Sequence, residues 1–322
     1  MPNLLDTSDD AAKMMLIGRS GAGKTGAQAS LVAAGYKLRI IDTDKGIKSL
    51  RSLLTDPRYP YAKIIADKKI DLREAVSYIP FDIPMSLRTV TRQVGGKSYS
   101  ETLLAPKDAR AWMKVLDQLN NWRDGEINYG PADSWGNDVV LSLDSFSTLA
   151  YHVYYFSQSL NNRLGARDEG RDYQRDVGAA QAQLRRLLEM LSNSSIKCNV
   201  IIISHVTWVD ESQGVAARPR EATADGNAVV FSQPDGYPSA IGRALSPQMG
   251  KYFNDVYVMR SSGSGANVRR SISTVPFEGV VAKNSVYLKR EYDISTGLAE
   301  IFAALRGQPE PTDLIAAINH RS

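Results

Sequence analysis

The chain has 322 residues, 43% hydrophobic and 23% charged, with a formal net charge of +4. That balance excludes a disordered or collagen-like chain, and near 300 residues roughly three quarters of the unfolded surface can be buried in a core. The mild positive excess argues only weakly for an anionic partner.

The predicted elements start with MMLIG (14–18), the first of four apolar runs that read as buried strands. KLRIID (37–42), DVVLSLD (138–144) and NVIIISH (199–205) are the others. Continuous β-branched runs without alternation suit parallel strands covered on both faces. Between the first two, residues 24–35 form a short helical stretch ending at Gly35, a plausible C-cap. Strand, glycine loop, helix and strand make a βαβ unit. Residues 51–137 read as an insertion of unknown role, with a hairpin inside VSYIPFDIPMSLRTVTRQVGGKSYSETLL and a helix in 107–125. Residues 145–195 read as helical, and 207–237 as a long polar loop. YFNDVYVMRS (252–261) and VYLKREYD (286–293) read as edge strands, joined by a basic turn. The division expected is a core over 1–305 and a C-terminal tail over 306–322.

Cys198 is the one cysteine and is expected to be a small buried hydrophobe, which suits a reducing compartment. The acidic N-terminus lacks a signal-peptide apolar stretch, and no run reaches the about 18 apolar residues of a membrane span. A cytoplasmic protein without a membrane partner is expected.

The first loop carries GRSGAGKT, a full match to G-x-x-x-x-G-K-[ST] in its proper strand-to-helix context. Backbone amides of Gly18, Arg19, Ser20, Gly21, Ala22, Gly23, Lys24, Thr25 and Gly26 are expected to bind a nucleoside triphosphate. Lys24 is expected on the β/γ-phosphates and the Thr25 hydroxyl on Mg²⁺, so ATP and Mg²⁺ are the cofactors implied. Such a site needs a carboxylate at a neighbouring strand end. Asp144 supplies it, unless it only caps the following helix. IIDTDKG places Asp42 and Asp44 just past the second strand, either as turn formers or with one of them, Asp44 by preference, orienting water. His205 ends the fourth strand, at the edge where open α/β sheets bind ligands, and could touch the terminal phosphate.

IIDTDKG, VVLSLDSFSTL and IIISHVT together resemble the strand-end motifs of RecA-type recombinases. The closer likeness is to phage-encoded RecA-like ATPases, including the small Sak-type annealing and recombination proteins. The resemblance implies an α/β RecA-like P-loop core, with a mostly parallel central sheet flanked by helices and an antiparallel edge. It implies Asp44 as general base and His205 as γ-phosphate sensor, where RecA has glutamine. It implies single-stranded DNA as ligand, self-association into a ring or filament, and recombination or replication proteins of phage or host as partners, in the host-cell cytoplasm. Lys283, Lys289 and Arg290 are the positions that look like fingers reaching a neighbouring subunit, with Arg243 and Lys251 as competitors. Arg218, Arg220, Arg269 and Arg270 are the candidate DNA contacts.

Two rival readings stand beside this one. The loop over 207–237 holds two arginines against five acids, which favours a nucleotide-dependent assembly or packaging factor acting on protein. A small-molecule kinase would carry an arginine-rich lid, and no clear one is present in the sequence.

Overall fold

The computed structural model describes residues 11–165, 170–209 and 235–319. It opens with β1 (Lys13–Gly18), α1 (Lys24–Ala27), α2 (Ala29–Ala33) and β2 (Lys37–Asp42). Then α3 (Ile47–Thr55), α4 (Pro60–Asp67) and α5 (Leu72–Ala75) lead into β3 (Val76–Pro80). Two ribbons follow: β4 (Met85–Val94) with β5 (Lys97–Pro106) and, after α6 (Ala111–Asn120), β6 (Trp122–Asp124) with β7 (Ile127–Gly130). Next come β8 (Val139–Asp144), α7 (Phe146–Leu160), α8 (Gly170–Ser192) and β9 (Asn199–Ser204). The strands β10 (Val206–Val209) and β11 (Asp235–Pro238) form a hairpin, followed by β12 (Asp255–Ser262) and β13 (Arg269–Ser273). The described chain ends with β14 (Glu291–Asp293), α9 (Gly297–Leu305) and α10 (Thr312–Asn319).

Eight strands form the central sheet in the order β14-β13-β12-β1-β9-β8-β2-β3. From β12 to β3 every pairing is parallel, while β13 and β14 pair antiparallel at one edge. This is the α/β architecture expected, with a mostly parallel sheet, flanking helices and an antiparallel edge. Why the apolar runs lack alternation is now plain, because successive side chains feed two cores. Met15, Ile17, Leu141, Leu143, Val200 and Ile202 face a core built with α6, α7 and α8. Met14, Leu16, Val140, Ile201 and Ile203 face the opposite core, against α2, α3, α4 and α9.

Residues 51–137 divide in two. β3 extends the central sheet beyond β2, whereas β4–β5 and β6–β7 are separate two-stranded ribbons. Within 306–322, α10 buries Leu314 in the second core. The edge differs from the sequence expectation. The run 286–293 is strand only over Glu291–Asp293, and its partner is RRSIS, whose first three residues, 269–271, belong to the turn expected from sequence. Pairing Met259 with Ile272 buries Ile272 completely, and that gain fixes the register. The stretch 207–237 begins and ends in strand, with Val206 opposite Pro238. Arg218 and Arg220 lie outside the described residues. No helix among the described residues is long and apolar enough to cross a membrane. Cys198 is buried, and burial pushes its thiol up to about 11.

Candidate active site

Four strands deliver the site. β1, β9, β8 and β2 run parallel, with Ile17 beside Ser204, Ile203 beside Asp144 and Asp144 beside Asp42. The residues just past these ends therefore converge on one edge of the sheet. The strand that leads into the Lys24 loop and the strand that ends at Asp144 are not neighbours, because β9 lies between β1 and β8. His205 enters through that intervening strand.

The loop from Gly18 turns into α1 through Gly23, whose φ of 88° is left-handed. The residue also lies under two side chains. A methyl group there would stand 2.5 Å from Ile294 Cδ1 and 2.8 Å from Arg270 Cδ. Arg270 Nε donates to the Gly21 carbonyl at 3.1 Å. Lys24 is 7% exposed and folds back onto the loop, donating to the carbonyls of Gly18 (2.8 Å) and Arg19 (2.9 Å). Burial lowers its ammonium from the ordinary lysine value, against the opposing charges of Asp144 and Asp44.

Lys24 Nζ also lies 3.5 Å from His205 Nδ1, and His205 Nε2 lies 2.9 Å from Asp44 Oδ2. An ammonium has only donors, so Nδ1 accepts from Lys24 and Nε2 carries the proton that goes to Asp44. The other Asp44 oxygen accepts from Thr148 Oγ1. Burial works to raise the Asp44 carboxyl. Hydrogen bonds from His205, Thr148 and Ser145 outweigh it and hold the group at about 2. Asp42 is 2% exposed and faces the other way, accepting from the amides of Gly46 (3.0 Å) and Ile47 (3.4 Å) at the start of α3. The sequence favoured Asp44 without excluding Asp42; of the two, Asp44 is the one that joins Lys24 and His205.

Asp144 accepts from the Thr25 hydroxyl at 2.5 Å. It does not cap α7, because Ser145 takes that role with its Oγ accepting from the Thr148 amide. Burial first, then the charges of Asp44 and Asp42, push the Asp144 carboxyl up to about 6, against the Thr25 hydrogen bond. A hydroxyl and a carboxylate oxygen are hard donors of the kind Mg²⁺ takes beside phosphate oxygens and waters. No group of three His, Cys, Asp or Glu side chains among the described residues is placed to hold a metal alone. The pair Thr25 and Asp144 thus fits a cation that the nucleotide brings with it.

Gly46 closes this pocket. A methyl group there would lie 2.7 Å from Thr25 Oγ1 and 3.5 Å from Asp144 Oδ2. Its φ of −75° is ordinary, so the restriction is steric alone. Gly46→Ala should therefore fold normally yet lose the Mg²⁺-dependent part of nucleotide affinity, by about tenfold, or ~1.4 kcal/mol. Calorimetric titration with and without Mg²⁺ measures this, and an unchanged Mg²⁺ dependence would refute the steric role. The sequence does not single out Gly46, since its contact with Thr25 is made only in the fold.

The remaining candidates scatter. Lys289 is tied to Glu300 (2.8 Å) and Glu310 (3.1 Å) of its own chain, and these partners raise its ammonium. Lys283 is half-buried and pairs through its backbone with Val256. Arg290, Arg243 and Arg269 are exposed, and Lys251 lies 5.1 Å from the Tyr252 ring. Arg19 reaches Glu278 at 3.9 Å. Arg270, weighed from sequence as a DNA contact, instead packs on the phosphate loop.

Sheet, loop and convergent polar groups define a P-loop α/β nucleotide-binding architecture. No protein-family model and no curated protein matches the chain. Among solved structures, it aligns with a KaiC-like protein from Pyrococcus horikoshii at 10% identity and a TM-score of 0.34, covering 82% of this chain and 78% of that one. It also aligns with the flagellar accessory protein FlaH from Methanocaldococcus jannaschii at 8% identity and a TM-score of 0.36, covering 87% and 83%. Neither likeness bears on activity, which rests on the residues themselves.

Proposed function

We propose that this chain is a RecA-like ATPase that hydrolyses Mg-ATP by water attack. The convergence of Lys24, Thr25, Asp144, Asp44 and His205 at one sheet edge carries the reading. Backbone amides of the loop cradle the phosphates. Lys24 leaves the Gly18 and Arg19 carbonyls to sit on the β/γ oxygens. Thr25 and Asp144 would hold Mg²⁺, which would neutralise charge on those oxygens when bound. A carboxylate held at about 2 is a weak proton acceptor, so Asp44 acts by orienting water rather than by deprotonating it early. Phosphoryl transfer asks little more of it, since positioning and charge stabilisation supply most of the catalysis.

His205 couples the two states. When Lys24 moves to phosphate, His205 Nδ1 loses its donor while Nε2 keeps its bond to Asp44, so Nδ1 is open to a new partner. His205 directly precedes the β10–β11 hairpin, so the phosphate state reaches that hairpin through one residue. The finer reading is that the hairpin grips single-stranded DNA, that copies of the chain assemble around it, and that the protein serves phage recombination or annealing. ATP turnover measured with and without single-stranded DNA tests this. A several-fold rise with DNA is expected, and a rate indifferent to DNA at low salt would overturn it. A second reading, action on a protein partner, draws support from the β4–β5 ribbon. There Leu87 and Leu104 face each other at 75% and 66% exposure. Stimulation by protein and not by DNA would favour it.

A further inference from the structure

We propose that the β4–β5 ribbon is a second contact for single-stranded DNA, an arm that holds the strand beside the ATP site. The proposal rests on the DNA reading above and names a surface within residues 51–137 that carries it. Residues 85–107 hold four cations, Arg88, Arg92, Lys97 and Lys107, against the one carboxylate of Glu101. That is a formal +3 of the chain's net +4. Cations gathered in this way neutralise phosphates and release their counterions.

The pairing register adds two further groups. Arg88 lies opposite Leu103, Lys97 opposite Val94 and Tyr99 opposite Arg92, so Arg88, Lys97 and Tyr99 share one face. The Tyr99 ring is 55% exposed. On the other face Thr89 pairs with Thr102 and Thr91 with Ser100, their hydroxyls 3.4 Å and 3.2 Å apart. All four stand in solvent. Hydroxyls and cations hold phosphate oxygens and sugars, and an open tyrosine ring stacks on a base. A duplex keeps its base faces stacked inside, so an unpaired strand is the ligand that uses Tyr99. A second copy of the chain would set one +3 ribbon against another. Leu87 and Leu104 lie near the root, whereas a protein interface needs its apolar residues at the centre and is poor in lysine and serine.

The root is fixed, and it stands near the site. The Lys107 amide donates to the Pro84 carbonyl at 2.7 Å, and Arg88 donates to the Lys107 carbonyl at 3.1 Å. Ala105 is buried against Gly165, where a methyl group would lie 2.5 Å from its Cβ. Asp82, just before β4, pairs with Lys45 at 3.2 Å, and Lys45 directly follows Asp44. A strand held on the ribbon therefore bears on the segment that carries Asp44.

Fluorescence anisotropy of a labelled oligothymidylate, with the full chain and Mg-ATP, tests this. Tyr99→Ala should weaken binding by about tenfold, as loss of one base stack predicts, and leave an abasic strand of equal length within about twofold. Tyr99→Phe should bind as the wild type. Lys97→Ala should weaken both strands alike, by about threefold, and lower the slope of log affinity against log salt by about one. Lys97→Arg should restore both. Basal turnover without DNA should stay within about twofold throughout, because both side chains stand in solvent. An equal loss of the abasic strand in Tyr99→Ala, or a fall in basal turnover, would make the ribbon structural and overturn the proposal. So would a duplex bound as tightly as the single strand. Wild-type DNA affinity in both alanine variants would overturn the ribbon and leave the DNA reading standing, and a loss of stimulation by protein instead would assign the ribbon to that partner. A wild-type chain that binds no oligonucleotide would overturn the DNA reading as well.

Discussion

Lys24→Ala is expected to reduce ATP turnover by about a thousandfold or more, equivalent to ~4 kcal/mol of transition-state stabilisation. The ammonium is 7% exposed and its burial is already unfavourable, as its lowered pKa records. It is held in place by two backbone carbonyls, His205 and the charges of Asp144 and Asp44. An incoming triphosphate exchanges these weak partners for a strong anion, which is why Lys24 is ready to move. Alanine removes the charge on the transferring phosphoryl group and also unhooks His205 Nδ1. Phosphate release followed over time measures the effect. Turnover within tenfold of the wild type would mean that the loop does not hold the reacting phosphate.

Asp44→Asn should separate binding from chemistry. Asparagine keeps the shape and can still accept from Thr148 or His205, so nucleotide affinity should stay within about threefold. Turnover should fall by about a hundredfold to a thousandfold, because a neutral amide aligns and polarises water poorly. Stability versus pH provides a second readout. The Asp44 carboxyl sits at about 2 in the fold against 3.8 for an ordinary aspartate. A depressed carboxylate contributes stability that is present above the unfolded value and lost as pH falls through the folded one. The wild type should therefore lose part of its advantage over Asp44→Asn as pH falls from about 5 towards about 2, measured by urea unfolding. Loss of nucleotide binding in the variant, or parallel acid limbs, would make Asp44 a structural residue.

Much of this site could be read along the chain because its parts are local. The phosphate loop needs consecutive residues in a fixed conformation, and GRSGAGKT states them outright. The four strand runs were equally legible, since a strand covered on both faces admits no polar alternation. Asp144 and His205 could be singled out only by position, each standing at the end of an apolar run. The sequence favoured Asp44 over Asp42 but recorded no contact that distinguishes them. Asp42 ends β2 and Asp44 stands two residues beyond it, and the placement of α3 against one and α7 against the other separates them.

What the sequence by itself determined is the chemistry: a phosphate loop, a carboxylate at a strand end, and a parallel sheet to hold them. Those depend on short-range geometry and on the burial of continuous apolar runs. Only the tertiary structure decided the contacts between elements far apart in the chain. It set β9 between the strands of Lys24 and Asp144, so that His205 bridges Lys24 and Asp44. It laid Gly46 against Thr25, and it turned residues 269–271, expected as turn, into the start of strand β13, which brings Arg270 to Gly21. Such pairings are settled by which apolar faces can be buried together, and no local pattern in either partner records the other.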